Sequence, residues 1–204
     1  MARKRKSQHI QRRQPTQERA QVTVSMILEA AARILRTEGR TGLNTNKIAE
    51  RAGISIGTLY GYFPNKDAIF IALARQIIEE DAQALAKVLD EGHGTETLRY
   101  LLRTLFKRHS DDSYVRRTVM SIYISEGFGA EHDVQVETIV KSFISRPERL
   151  LGREVPPIDP ARLFATSRAV IGIARAFTEQ GDVKRFPSQT IEDEAVSLIY
   201  KYLL

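Results

Sequence analysis

The chain has 204 residues, of which 42% are hydrophobic and 27% charged, a composition typical of a folded globular protein. It contains no cysteine, which excludes disulfides, thiolate zinc sites and a cysteine nucleophile. No apolar run approaches the roughly 18 residues of a membrane span, and no apolar segment follows the basic start as in a signal peptide. We therefore expect a cytoplasmic protein that needs neither metal nor cofactor.

The positive charge is concentrated at the N-terminus. The formal net charge is +6, and residues 1–20 carry seven basic residues against one acidic residue, so the rest of the chain is neutral. A basic arm on a neutral body suits a polyanionic partner, although a solvated tail without a partner would have the same composition. We assign residues 1–20 to a basic flexible arm.

Helical periodicity runs through nearly the whole chain, and no segment alternates as a strand would. Gly39, Gly53 and Pro64 end the first three helices, and Asn65 can cap the fourth. The predicted helices span residues 21–38, 44–52, 55–63, 65–89, 95–109, 111–146 with an interruption near 127–129, 161–180 and 190–204. The predicted fold class is all-α.

The second and third helices are short and are joined by a tight turn at Ala52-Gly53-Ile54-Ser55, which is typical of a helix-turn-helix. Gly53 can supply the left-handed backbone conformation that this turn requires. We therefore assign residues 21–66 to a three-helix helix-turn-helix domain.

The third helix has two different faces. Leu59 and Phe63 point to the core with Ile56 beside them, whereas the opposite face is centred on Gly57, Gly61 and Thr58, with Tyr60 and Tyr62 on either side. A helix with a small outward face can press its backbone into the major groove of DNA. A tight helix–helix contact inside the protein is the alternative explanation.

The string TNKIAERAGISIGTLYGYFPNK, from Thr45 to Lys66, closely resembles the DNA-binding region of the TetR family of bacterial regulators, whose core reads IAxxAGxSxGTLYxYFxNK. The similarity covers residues 22–75; beyond them only the helical pattern and the helix lengths agree. Two residues depart slightly from the family pattern. Gly61 occupies a position that tolerates variation, and Asn44 stands where a threonine or serine cap is common. The resemblance and the helix geometry together predict these DNA-binding residues: Asn44, Thr45, Ser55, Gly57, Thr58, Tyr60, Gly61, Tyr62 and Lys66.

Lys66 adds an independent indication of a phosphate partner. It lies at the start of the long fourth helix, where the helix dipole disfavours a cation. A DNA phosphate docked at that helix start would reverse the sign of the interaction. A solvated surface lysine remains the alternative.

Two short patterns that could indicate an enzyme do not have the required context. Gly53-Ile54-Ser55-Ile56-Gly57 matches the G-x-S-x-G motif of serine hydrolases, but that motif needs a preceding buried strand, and residues 46–52 are charged and helical. Glu131-His132-Asp133 could hold a metal, but a solvated turn between helices is the favoured explanation. We predict no catalytic residue, no metal ligand and no cofactor.

The last two helices carry apolar residues at the spacing of a packing seam. They resemble the four-helix dimer interface of the TetR family, and an intrachain hairpin is the alternative. The predicted interface residues of a homodimer are Leu163, Val170, Ile173, Phe177, Ile191, Ala195, Leu198 and Tyr202. We assign residues 67–204 to a helical ligand-binding and dimerisation domain.

The middle helices offer five apolar side chains that could line a pocket for an apolar or aromatic effector: Phe106, Ile122, Tyr123, Phe143 and Ile144. Ordinary core packing explains the same residues equally well. The hypothesis from the sequence is a ligand-responsive repressor that binds double-stranded operator DNA as a homodimer. A chromosome-organising or division-linked DNA-binding protein without a ligand switch is the second hypothesis.

Overall fold

The computed structural model describes residues 18–92, 96–110, 113–132, 134, 138, 154, 157–179 and 186–203, and the regular structure within them is helical. The predicted all-α class is thus confirmed for this part of the chain. Most of the basic arm, Phe143 and Ile144 lie outside the described residues. The helices are α1 (Glu18–Gly42), α2 (Thr45–Arg51), α3 (Ile56–Tyr62), α4 (Lys66–Glu91), α5 (Thr97–Ser110), α6 (Ser113–Tyr123), a π-helix (Ile124–Phe128), α7 (Pro160–Glu179) and α8 (Ser188–Leu203).

The chain divides into two compact units, and the functional boundary expected at residue 66 stays a prediction. The first unit comprises residues 1–77 and 114–130, and the second comprises residues 78–113 and 131–204. The first turns of α4 belong to the first unit because they bury Ile69, Phe70 and Ala74. None of the helices in the described ranges is long and apolar enough to cross a membrane.

Three polar side chains fix the helix starts in the first unit. Asn44 Oδ1 accepts a hydrogen bond from Lys47 N at 2.9 Å, and Ser55 Oγ accepts one from Thr58 N at 3.0 Å. Asn65 Oδ1 accepts from Ala68 N at 2.9 Å, which confirms the predicted cap of α4. These bonds satisfy backbone donors that a helix start leaves without an internal partner. The chain can therefore begin three helices within a short stretch.

Two glycines allow the sharp changes of direction. Gly53 has a φ of 68°, so it supplies the left-handed turn between α2 and α3 that the sequence predicted. Gly39, where the sequence predicted the end of the first helix, has φ 69° and ψ −175° and produces a kink. One further turn follows as far as Gly42, and Arg40 N donates a hydrogen bond to Tyr114 OH of α6 at 3.1 Å.

The interruption predicted near residues 127–129 is a π-helix with a glycine at φ 93°, Gly127. The ring of Phe128 stacks on Tyr123 with centroids 5.1 Å apart, and the guanidinium of Arg75 lies 5.1 Å from the Phe128 centroid. Such aromatic and cation–π contacts each contribute about 1 kcal/mol. They hold the distorted segment against α4 inside the first unit.

Within the second unit, α5, α7 and α8 pack against one another. Their buried cluster consists of Leu98, Leu102, Phe106, Val170 and Ala195. A buried carboxylate, that of Glu192, accepts a hydrogen bond from Arg103 Nε at 3.3 Å, and Arg99 pairs with Asp193 on the same two helices. Ionic contacts therefore accompany the apolar packing of α5 on α8.

We expect Gly39→Ala to lower the free energy of unfolding by about 1–2 kcal/mol, because an L-residue is disfavoured at its positive φ. A Cβ there would also lie 3.1 Å from Tyr114 OH. Gly57→Ala is the matched control, since its Cβ would meet only Ser55 Oγ, at 3.8 Å. Urea denaturation measures both variants; equal stability for the two would contradict the strain at Gly39.

Candidate nucleic-acid interface

Helix α3 is held by its buried side and by its first residues. Leu59 and Phe63 are fully buried, and the Ser55 cap precedes the first turn. The other side is open to solvent: Gly57, Thr58 and Tyr60 are exposed, and Gly61 and Tyr62 are half-buried. The division into two faces therefore agrees with the sequence analysis at these positions.

Four hydroxyl groups of this surface are paired with one another. Thr45 Oγ1 and Tyr60 OH are hydrogen-bonded at 3.1 Å, which ties the start of α2 to α3. Ser55 Oγ and Thr58 Oγ1 are hydrogen-bonded at 2.8 Å. Two pairs of predicted DNA-binding residues are thus brought together, and each pair is oriented before any ligand arrives.

The two glycines of α3 do not serve contacts within the described part of the chain. A Cβ placed on Gly61 would have no atom within 4 Å, and one on Gly57 would meet only Ser55 Oγ, at 3.8 Å. The alternative of a tight intrachain helix–helix contact therefore finds no support among the described residues. The glycines leave a shallow backbone surface facing solvent.

Asn44 and Lys66 lie at helix starts next to this surface. The side chain of Asn44 already accepts the capping bond from Lys47 N, so it stabilises α2 in the free protein. Lys66 is the first residue of α4 and is half-buried. Their contacts with DNA stay predictions.

A carboxylate at the end of α1 pairs with two cations of α2. Lys47 Nζ lies 2.6 Å from Glu38 Oε2, and Arg51 Nη2 lies 3.4 Å from Glu38 Oε1. The hydrogen bond from Lys47 holds the pKa of Glu38 below its usual value. Burial opposes this lowering, and the charges of Lys47 and Arg51 add to it. This cluster joins the end of α1 to α2.

Gly42 makes room for that carboxylate. A Cβ at position 42 would overlap the Cβ of Glu38 and lie 2.9 Å from its Oε2. Gly42 has no positive φ, so the close approach of Glu38, and not the backbone conformation, requires the glycine.

The structure corrects the position of Ile56. The helical wheel placed it beside the core residues Leu59 and Phe63, but its side chain is 38% exposed. Ile56 is the first residue of α3, so no preceding turn of that helix extends the core to its level. Its place directly after the capping Ser55 was the sequence signal that could have indicated this.

Comparison with known proteins agrees with this geometry. Residues 27–73 match the family model described as bacterial regulatory proteins of the tetR family, and this segment contains all the predicted DNA-binding residues. Residues 27–73 of the chain are therefore similar to the DNA-binding segment of the TetR family. This segment includes α2, α3 and the start of α4.

Two relatives match part of the chain, and a solved structure shares its fold. The chain is 36% identical over 76 residues to the transcriptional repressor AcnR of Corynebacterium glutamicum, covering 37% of this chain and 38% of AcnR. It is 36% identical over 81 residues to the nucleoid occlusion factor SlmA of Vibrio atlanticus, covering 39% of this chain and 41% of SlmA. The chain thus spans less than half the length of these relatives. A TetR-family regulator structure from Marinobacter aquaeolei shares the fold with a TM-score of 0.61 at 19% identity, covering 91% and 97% of the two chains.

The predicted dimer residues fall into two groups. Val170 and Ala195 lie in the buried cluster of α5, α7 and α8, and Ile173 and Ile191 pack against it. Val170 and Ala195 are thus covered by their own chain, which favours the intrachain packing that the sequence left open, and their part in a dimer interface stays a prediction. Leu163 and Leu198 are half-buried, Tyr202 is exposed, and the side chain of Phe177 lies outside the described residues. A dimer contact by these four stays a prediction.

The predicted ligand-lining residues are buried in separate units. Phe106 belongs to the cluster of the second unit, whereas Ile122 and Tyr123 are buried in the first. Core packing, the alternative that the sequence left open, accounts for Phe106. Phe143 and Ile144 lie outside the part of the chain that the structure describes.

We expect the carboxyl of Glu38 to titrate below its usual pKa of 4.5, because Lys47 stabilises its charged form. Since the folded-state pKa is lowered, this stabilisation is present at neutral pH and is lost as the pH falls through that pKa. Lys47→Gln should raise the pKa of Glu38. Lys87→Gln, which removes a pair with Glu91 within α4, is the control. Carboxyl chemical shifts measure the titration, and an unchanged pKa in Lys47→Gln would contradict the assignment.

Proposed function

We propose that the protein is a DNA-binding transcriptional regulator: a repressor that a small-molecule effector releases from a palindromic operator. The observation that carries this proposal is the open glycine surface of α3, opposite the buried Leu59 and Phe63. A helix with such a surface can approach the floor of the major groove closely. The family match on residues 27–73 supports the same role for this segment.

The chemistry of the surface indicates how the DNA would be recognised. Residues 55–63 contain no arginine, lysine, asparagine or glutamine, which are the usual readers of guanine and adenine. Direct contacts therefore depend on the hydroxyls of Thr58, Tyr60 and Tyr62, and the shape of the DNA carries much of the specificity. The basic arm and Lys66 would add phosphate contacts, which fix the position of the protein without reading bases.

A homodimer would present two such surfaces to two half-sites. Helices α7 and α8 are the proposed contact, as in the interface that the sequence suggested. Phe164 of α7 is 56% exposed and Tyr202 of α8 is 47% exposed, although both are large aromatic residues. The guanidinium of Arg162 lies 5.9 Å from the Tyr202 centroid, and that of Arg168 lies 5.3 Å from the Phe164 centroid.

The proposed effector is apolar or aromatic and acts by shifting the population of dimers away from the DNA-binding form. One route for this effect lies inside the first unit. The bond from Arg40 N to Tyr114 OH joins α6 to the end of α1, just before the turn into α2. A movement of α6 would therefore displace the end of α1 and the start of α2. Helix α2 in turn contacts α3 through the hydrogen bond between Thr45 and Tyr60.

A second candidate function is supported by the similarity to the nucleoid occlusion factor SlmA. In that case the protein would bind DNA at many sites without release by a small molecule. Release of DNA by an effector distinguishes the two candidates, because only the repressor needs it.

The proposal is tested by selecting bound DNA from a random pool and footprinting the selected sequence. We expect two half-sites related by a two-fold axis, with centres about one helical turn or a multiple of it apart. Selection of no sequence, or of an asymmetric single half-site, would contradict the proposal.

Gly61→Leu provides the matching test on the protein. We expect its affinity for the selected DNA to fall to that for unrelated DNA, because the leucine side chain holds α3 away from the groove. Its melting temperature should change little, since nothing lies within 4 Å of the added Cβ. Gly61→Ala is the smaller control substitution and should lose less affinity. Tight operator binding by folded Gly61→Leu protein would show that this helix does not enter the groove.

We expect Phe164→Glu combined with Tyr202→Glu to yield a folded monomer, because the carboxylates would be desolvated in the dimer contact. Both side chains are exposed in the single chain, so its own packing should persist. Light scattering gives the mass, and a thermal melt reports the fold. A double variant that remains a stable dimer would place the interface elsewhere.

A further inference from the structure

Ile56 is an exposed aliphatic residue on the surface proposed to meet DNA. It is the first residue of α3, and its side chain is 38% exposed. Tyr60, one helical turn later on the same side, is 41% exposed. Both border Gly57, around which a Cβ would have nearly open space. Ile56 thus adds an exposed aliphatic side chain at the edge of the glycine surface.

Four other side chains of this surface carry hydroxyl groups that are already hydrogen-bonded to one another. Ser55 pairs with Thr58, and Tyr60 pairs with Thr45. A base edge that recruits one of these hydroxyls replaces an existing bond, so the net gain is small. Ile56 has no such bond to lose, and covering its side chain removes apolar surface from water.

The major groove offers one apolar group on its base edges, the C5-methyl group of thymine. We propose that Ile56 is a specificity-determining residue that contacts the C5-methyl group of a thymine in each half-site. This inference rests on the proposed function. It goes beyond that function because it names the base and the atom that α3 selects.

The test replaces each thymine of the selected operator in turn with deoxyuridine, which removes only the methyl group. One buried methyl is worth about 0.8 kcal/mol, so the wild-type protein should lose about fourfold in affinity for one half-site and about 15-fold for both. Ile56→Ala should bind the thymine and deoxyuridine operators equally well at that position. Ile56→Val, which keeps a branched side chain, should retain part of the discrimination.

Ile124→Ala is the matched control, because Ile124 is also an isoleucine, is 44% exposed and lies in the π-helix. It should discriminate between the two operators as the wild type does. A thermal melt establishes that each variant is folded.

The outcomes separate this inference from the proposed function. If an operator is selected but removal of no thymine methyl lowers the affinity in a way that depends on Ile56, the inference is wrong. The proposal of a DNA-binding regulator is unaffected by that result. A methyl effect of equal size in the wild type and in Ile56→Ala also overturns the inference, because the methyl then acts through the shape of the DNA. If selection yields no operator, the proposed function fails, and the inference fails with it.

Discussion

Helix α3 has only seven residues, and a helix of that length is not stable in water by itself. Two of those residues are glycines, each of which costs about 1 kcal/mol in a helix relative to alanine. Burial of Leu59 and Phe63 contributes about 1.5–3 kcal/mol for each side chain and offsets that cost. The open surface can therefore exist only because the opposite face is docked. The Ser55 cap and the Thr45–Tyr60 bond act on the same helix and fix where it begins and how it meets α2.

The internal hydroxyl pairs have a further effect on recognition. A protein that binds DNA usually has to order its contacting side chains, and each ordered side chain costs conformational entropy. Here Tyr60 is already held by Thr45, and Thr58 is held by Ser55. Part of this ordering is complete in the free protein, at the expense of some hydrogen-bonding energy when DNA takes over the hydroxyls.

Local signals made the helix-turn-helix predictable from the sequence. Gly53 was recognisable because only a left-handed residue closes so short a turn, and Asn65 because a helix start next to Pro64 needs a cap. Ile56 was misplaced because a helical wheel gives the direction of a side chain but not whether the core extends to the end of the helix. Val170 and Ala195 illustrate a related point. Periodicity shows that they share a packing face, but the same spacing results whether that face meets its own chain or a second one.

The absence of a side chain at Gly42 has a consequence for Glu38, one helical turn earlier. The missing side chain leaves the space through which Glu38 reaches Lys47 and Arg51. Because the closest contact is with the Cβ of residue 38, a larger residue at position 42 would clash with any residue there except glycine. The backbone at the end of α1 would have to shift instead, and this shift would change the distance from Glu38 to both cations of α2.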